Sequence, residues 1–136
     1  MKWESKGKKK TYSIKRLGNS FKYALSGIIN AYKTEQNLLI HTIVAILVIA
    51  LGIIIHLSYI ELAIVVLTIG LVISLELVNT SIENAIDMAM PSIHPLAKAS
   101  KDAASGAVLF AAIISVVVGC LIYIPKLIEF IKSITN

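Results

Sequence analysis

Residues 60–87 read IELAIVVLTIGLVISLELVNTSIENAID, an apolar run that turns acidic without losing its helical period. Across residues 60–79 the only charges are Glu61 and Glu76. About 20 such residues, at ~1.5 Å each, are what a helix needs to cross ~30 Å of hydrocarbon. At about 100° per residue, Glu76, Asn79, Thr80, Glu83 and Asp87 all fall within roughly 60° of Glu76, while Leu77, Val78, Ile82 and Ile86 cover other faces. The eleven steps from Glu76 to Asp87 rise about 16 Å. The helix therefore leaves lipid along a single line of three carboxylates.

The flanking sequence repeats the apolar theme. Residues 38–57 and 106–124 carry no charge, so three spans are predicted: about 38–57, 60–79 and 106–124. The whole chain of 136 residues is 57% hydrophobic and 15% charged, against about 45–50% and about 25% for soluble domains. A soluble enzyme is excluded, and one domain is expected at this length. The first span begins too late and runs too long for a cleavable signal peptide. Five residues, 56–60, join the first two spans as a tight hairpin. Cys120 is the single cysteine, which excludes an internal disulfide or a cysteine-only zinc site. It is read as a small buried hydrophobe.

Charge sets the orientation. Residues 1–37 hold Lys2, Lys6, Lys8, Lys9, Lys10, Lys15, Arg16, Lys22 and Lys33, the first hairpin holds no lysine or arginine, and Lys98 and Lys101 precede the third span. The positive-inside rule places the N-terminus and the connection over about 80–105 in the cytoplasm, and the C-terminus outside a multi-pass plasma membrane protein. Residues 1–12 read as a flexible polybasic tail attracted to anionic lipid, and residues 13–136 as the membrane domain. Nucleic acid is not expected as a partner, because the tail lacks interleaved aromatics. Over about 14–34, Leu17, Phe21, Ala24, Leu25 and Ile28 recur at helical spacing beside Lys15, Arg16 and Lys22, which predicts an amphipathic surface helix lying in the headgroup plane.

Carboxylates gathered beside lipid are unfavourable unless a cation neutralises them. A divalent metal is the economical answer, since Mg²⁺ takes one or two protein carboxylates plus substrate phosphates. Glu76, the deepest, is placed to act as general base on a lipid hydroxyl at the interface, and Glu35 adds an acid at the same depth. The plainer alternative is a solvated helix face whose acids pair with Lys98 and Lys101; Glu61 is assigned no role. Pro91 and Pro95 break the helix and put His94 on a turn near the acidic helix. The small residues of 103–107 permit close packing. There is no glycine-rich P-loop and no kinase-type loop.

These residues resemble the prokaryotic integral-membrane diacylglycerol kinase/undecaprenol kinase family from about residue 16 to residue 124. The most specific part is Glu76-x-x-Asn79-Thr80-Ser81-Ile82-Glu83-x-x-x-Asp87, with Ser81 where the family commonly has Ala. His94-x-Leu96-Ala97-x-x-x-Lys101-Asp102 is similar to the family's second block. Lys33-Thr34-Glu35-x-Asn37-x-x-x-His41, His94-Pro95-Leu96-Ala97 and Pro125-Lys126 resemble its Gram-positive branch. The resemblance implies an all-α membrane protein: an N-terminal surface helix and three spans, assembled as a homotrimer with active sites shared between neighbours. It implies Glu76 as catalytic base and lipid contact, with Ser105 near the lipid, and Glu35 and Glu83 as Mg²⁺ ligands at the nucleotide. It further implies ATP contacts from Arg16, Tyr23, His94, Lys101 and Asp102, supported by Asn79 and Asp87. The expected reaction is ATP- and Mg²⁺-dependent phosphorylation of a membrane lipid alcohol, undecaprenol, with diacylglycerol as the alternative. Two other classes stay open on residue chemistry alone: a small proton-coupled exporter cycling Glu76, and a non-enzymatic membrane subunit.

Overall fold

The computed structural model describes residues 14–90, 92 and 94–135. The polybasic tail, together with Pro91 and Ile93, lies outside the described residues. Within them the fold is helical throughout: α1 Ile14–Thr34, α2 Gln36–Ile54, α3 Tyr59–Ala89 and α4 Pro95–Thr135. The last three are long and apolar enough to cross a membrane. At ~1.5 Å per residue, the 31 residues of α3 and the 41 of α4 exceed the ~30 Å of hydrocarbon and must project beyond it. Helix α4 runs on through Pro125 to Thr135.

Each junction has a local cause. Between α1 and α2 the chain bends at Glu35, whose backbone is extended (φ −107°, ψ 110°). Ala31 and Leu38, both buried, pin the corner. The Tyr32 and Thr42 hydroxyls meet at 2.6 Å while Thr42 Oγ1 donates to the Leu38 carbonyl; that uses the only threonine proton, so Tyr32 is the donor between them.

Helix α2 ends where His56 takes a left-handed backbone (φ 58°). The His56 N–H then reaches the Ile53 carbonyl at 3.2 Å and the Leu57 N–H the Gly52 carbonyl at 2.9 Å, the paired bonds of a Schellman motif. Helix α3 starts at once with a capping box. Glu61 N–H donates to Ser58 Oγ (3.3 Å) and Ser58 N–H to the Glu61 carboxylate (2.7 Å). Glu61, given no role from sequence, is thus a capping residue, and the S-x-x-E spacing is the signal that could have found it.

Helix α3 packs most extensively on α4 and less on α2, and α1 touches α2 and α3 only near its end. At the hairpin end Ile55, Val65 and Tyr123 form a buried group. Tyr123 donates its hydroxyl to the Val48 carbonyl at 2.8 Å. Gly52 makes that approach possible, for a Cβ there would lie 2.8 Å from the Tyr123 oxygen. At the other end Val72, Val108 and Ala111 pack together, small side chains that let α3 and α4 approach closely. Cys120 departs from expectation: it is exposed and lines an apolar cavity between the spans rather than a packed contact. Most large apolar side chains on the spans are exposed, including Ile46, Leu47, Leu67, Phe110, Val116 and Leu121. A water-soluble monomer does not carry so much apolar surface.

Candidate active site

Next to the Val72–Val108–Ala111 packing, α2, α3 and α4 enclose a polar cleft of about 320 Å³. Helix α3 contributes Glu76, Asn79 and Glu83, spaced three, four and seven residues apart and so on one face. The start of α2 adds Glu35, Asn37 and His41, and α4 adds Ser105, Val108, Leu109 and Ala112. Glu35 occupies the N-cap position of α2, yet its side chain makes no cap hydrogen bond. The extended backbone at the corner instead lets its carboxylate line the cleft.

The polar groups are deeply held. Glu76 is 3%, Asn79 7% and Thr80 6% exposed. Thr80 does not reach into the cleft; its hydroxyl donates to the Glu76 carbonyl at 3.0 Å, the usual fate of a threonine inside a helix. Asn79 Nδ2 donates to a Glu83 carboxylate oxygen at 3.1 Å. That bond fixes which way the amide faces, since the reverse orientation would set two oxygens against each other. The Asn79 Oδ1 is thereby left buried without a partner. An orphaned buried acceptor costs about 1–3 kcal/mol.

Three carboxylates, Glu35, Glu76 and Glu83, therefore share the cleft, and none is ion-paired among the described residues. No three His, Cys, Asp or Glu side chains among the described residues converge as a complete metal cage. The donor set still fits a hard divalent cation: carboxylates without a cationic partner among the described residues, with remaining ligands drawn from phosphate and water.

The other predicted residues lie elsewhere. Asp87 does not line the cleft but bridges to Lys101 at 2.5 Å, tying α3 to α4. Asp102 pairs with Lys98, also at 2.5 Å, on the exposed side of α4. The acidic line read from the sequence is thus split, because its last member sits one turn beyond the cleft and within reach of a lysine. His94 precedes α4, and its Nδ1 accepts from the Leu96 N–H at 3.2 Å. Arg16 and Tyr23 are exposed on α1, apart from the cleft-lining side chains.

Two cleft residues, Asn37 and His41, were quoted in a motif but given no role. Their i, i+4 spacing on α2 was the available signal. His41 also lines a second, apolar cavity of about 480 Å³ running along α2, α3 and α4 toward Tyr123. The two spaces share His41 and Ala112. A polar pocket holding carboxylates thus adjoins an apolar one within the membrane-spanning helices, with His41 and Ala112 in the walls of both, which suits an amphipathic substrate.

Comparison with known proteins identifies the family. The sequence profile of prokaryotic diacylglycerol kinase matches residues 22–123. The chain is 46% identical over 114 residues to an undecaprenol kinase of Bacillus subtilis (strain 168), covering 84% of this chain and 93% of that protein. It is 42% identical over 111 residues to a diacylglycerol kinase of Synechocystis sp., covering 81% of this chain and 63% of the relative. A diacylglycerol kinase of Helicobacter pylori (strain J99) is 34% identical over 100 residues, 74% of this chain and 78% of the relative. The chain belongs to the prokaryotic diacylglycerol kinase family. It is an enzyme of the membrane, a lipid kinase, and the exporter and non-enzymatic readings are set aside.

Proposed function

We propose that this chain uses ATP and Mg²⁺ to phosphorylate the primary hydroxyl of undecaprenol at the cytoplasmic face of the plasma membrane. One observation carries the reading: Glu35, Glu76, Asn79, Glu83 and Ser105 line one polar cleft, and an apolar cavity adjoins it at His41 and Ala112. Undecaprenol is favoured over diacylglycerol by the relative that combines 46% identity with 93% coverage of its own length. Diacylglycerol is the second reading, supported by the relative at 42% identity.

Phosphoryl transfer asks the protein for alignment and for neutralisation of phosphate charge, with little covalent work. Glu76, deepest in the cleft, accepts the proton from the lipid hydroxyl as that oxygen attacks the γ-phosphorus. Glu35 and Glu83 would hold the magnesium ion, with Asn79 steadying Glu83 through its amide. Bound there, the ion would supply positive charge against the phosphates. Lys101 exchanges Asp87 for a phosphate, leaving Asp87 to support the nucleotide side. His94, Asp102, Arg16 and Tyr23 complete the ATP contacts, and Ser105 lies beside the lipid. Helix α1 rests on the membrane surface with Leu17, Phe21 and Leu25, all exposed, turned to lipid. Three copies assemble so that a neighbour closes each open cleft, which is supported by the exposed apolar faces of the spans.

The direct test uses radiolabelled ATP with undecaprenol in mixed micelles containing Mg²⁺. Label is expected in undecaprenyl phosphate; none in either undecaprenol or diacylglycerol overturns the reading. The variant Glu76→Gln is expected to lower turnover by about 10²–10⁴ while nucleotide affinity, read by equilibrium binding, survives. Equal loss of both would remove Glu76 from the role of base.

A further inference from the structure

We infer that His41 sets the relative use of plain polyprenyl alcohols and ester-bearing glycerolipids. The inference rests on the reading above that the lipid hydroxyl meets Glu76 in the polar cleft. His41 and Ala112 are the residues common to the walls of both spaces, so a lipid with its hydroxyl in one and its tail along the other would run past them, and that junction is the neck of the proposed path. Of the two, only His41 can read polarity.

The walls of the apolar cavity leave it little competition. Thr68 spends its hydroxyl proton on the Val65 carbonyl (2.9 Å), Ser115 on that of Ala111 (2.9 Å) and Tyr123 on that of Val48 (2.8 Å). Cys120 offers a thiol, a weak donor. His41 is half-buried, and no side-chain hydrogen bond among the described residues involves it. A neutral imidazole carries one N–H donor and one nitrogen acceptor. His41 thus brings the one strong, uncommitted donor to the neck, immediately tailward of the hydroxyl site.

The two candidate substrates differ in what they present at that depth. Past its hydroxyl, a polyprenyl alcohol has only carbon, and the imidazole can pack against it. A diacylglycerol has two ester groups within a few bonds of its hydroxyl, and esters only accept hydrogen bonds. A site with a donor in place accepts the ester-bearing lipid, whereas one without leaves its carbonyl unpaired in an apolar passage, a moderate penalty on that lipid. His41 therefore acts as a specificity-determining residue, with its effect on one substrate more than on the other.

The test compares kcat and KM for undecaprenol and dioleoylglycerol in the same mixed micelles, using the full-length wild type, His41→Leu and His41→Gln. Wild type is expected to phosphorylate both. In His41→Leu the ratio of kcat/KM for dioleoylglycerol to that for undecaprenol falls about tenfold, chiefly through KM. The variant His41→Gln, which keeps a donor at similar reach, restores most of the ratio. Parallel loss on both lipids, an unchanged ratio, or a wild type that ignores dioleoylglycerol overturns the role of His41 while leaving the kinase reading intact. A wild type that labels neither lipid overturns both.

Discussion

At the scale of single residues, Asn79 is the most exposing. Its Nδ2 serves Glu83 and its Oδ1 finds no partner among the described residues, an arrangement that costs folding energy and that a ligand, ion or water in the cleft would relieve. Replacing it with the similarly sized Leu removes the stranded acceptor and the hold on Glu83 together. Kinase activity of Asn79→Leu is expected to fall at least 100-fold, while the thermal unfolding midpoint in detergent stays level or rises. A fall in both would make Asn79 a structural residue. That opposition of activity and stability is what strained functional positions produce. Much of this site could be read in advance: Glu76, Asn79 and Glu83 share a face through helical period alone. Asp87 obeys the same period but is claimed by Lys101 across the α3–α4 contact, a pairing with a sequence separation of fourteen residues that no one-dimensional pattern encodes. The i, i+4 spacing of Asn37 and His41 puts them on one face of α2, but the place of His41 in the walls of two cavities depends on the neighbours that α3 and α4 bring to it.

At the scale of elements, the α2–α3 hairpin is the most economical piece of chain. Its turn joins a Schellman motif directly to a capping box, so unpaired helix-end groups on both sides are satisfied within a few residues. The αL position is held by His56 rather than glycine, and a left-handed L-residue costs roughly 1–2 kcal/mol. His56→Gly is therefore expected to raise the thermal midpoint, by up to about 1 kcal/mol of stability, and His56→Val to lower it; chemical denaturation in detergent checks both signs. The absence of a glycine is why the sequence carried the first span on through residue 57, whereas α2 closes at Ile54. The bounds of α1, by contrast, followed from its periodicity, and those of α3 and α4 exceeded the apolar blocks because helical hydrogen bonding does not stop where lipid does.

At the scale of the whole molecule, the number of spans was plain in the composition, since apolar blocks of membrane length with few or no charges have few other uses. Which faces of the spans are left exposed depends on shape, and shape emerges only once α3 and α4 are laid side by side. Helix α3 is unbroken from its Ser58 cap to Ala89. Glu76 stands seventeen residues along it, about 26 Å from Tyr59, close to the ~30 Å depth of the hydrocarbon. The rod thus behaves as a depth gauge: its capped end rests at one interface and its carboxylate reports where the other one lies. In vesicles made from a graded series of acyl chain lengths, turnover is expected to peak at one thickness and drop on either side. Thicker sheets would sink the carboxylate below the reach of a water-borne nucleotide, and thinner ones would lift it clear of the alcohols. A flat response across the series would mean that tilt absorbs the mismatch.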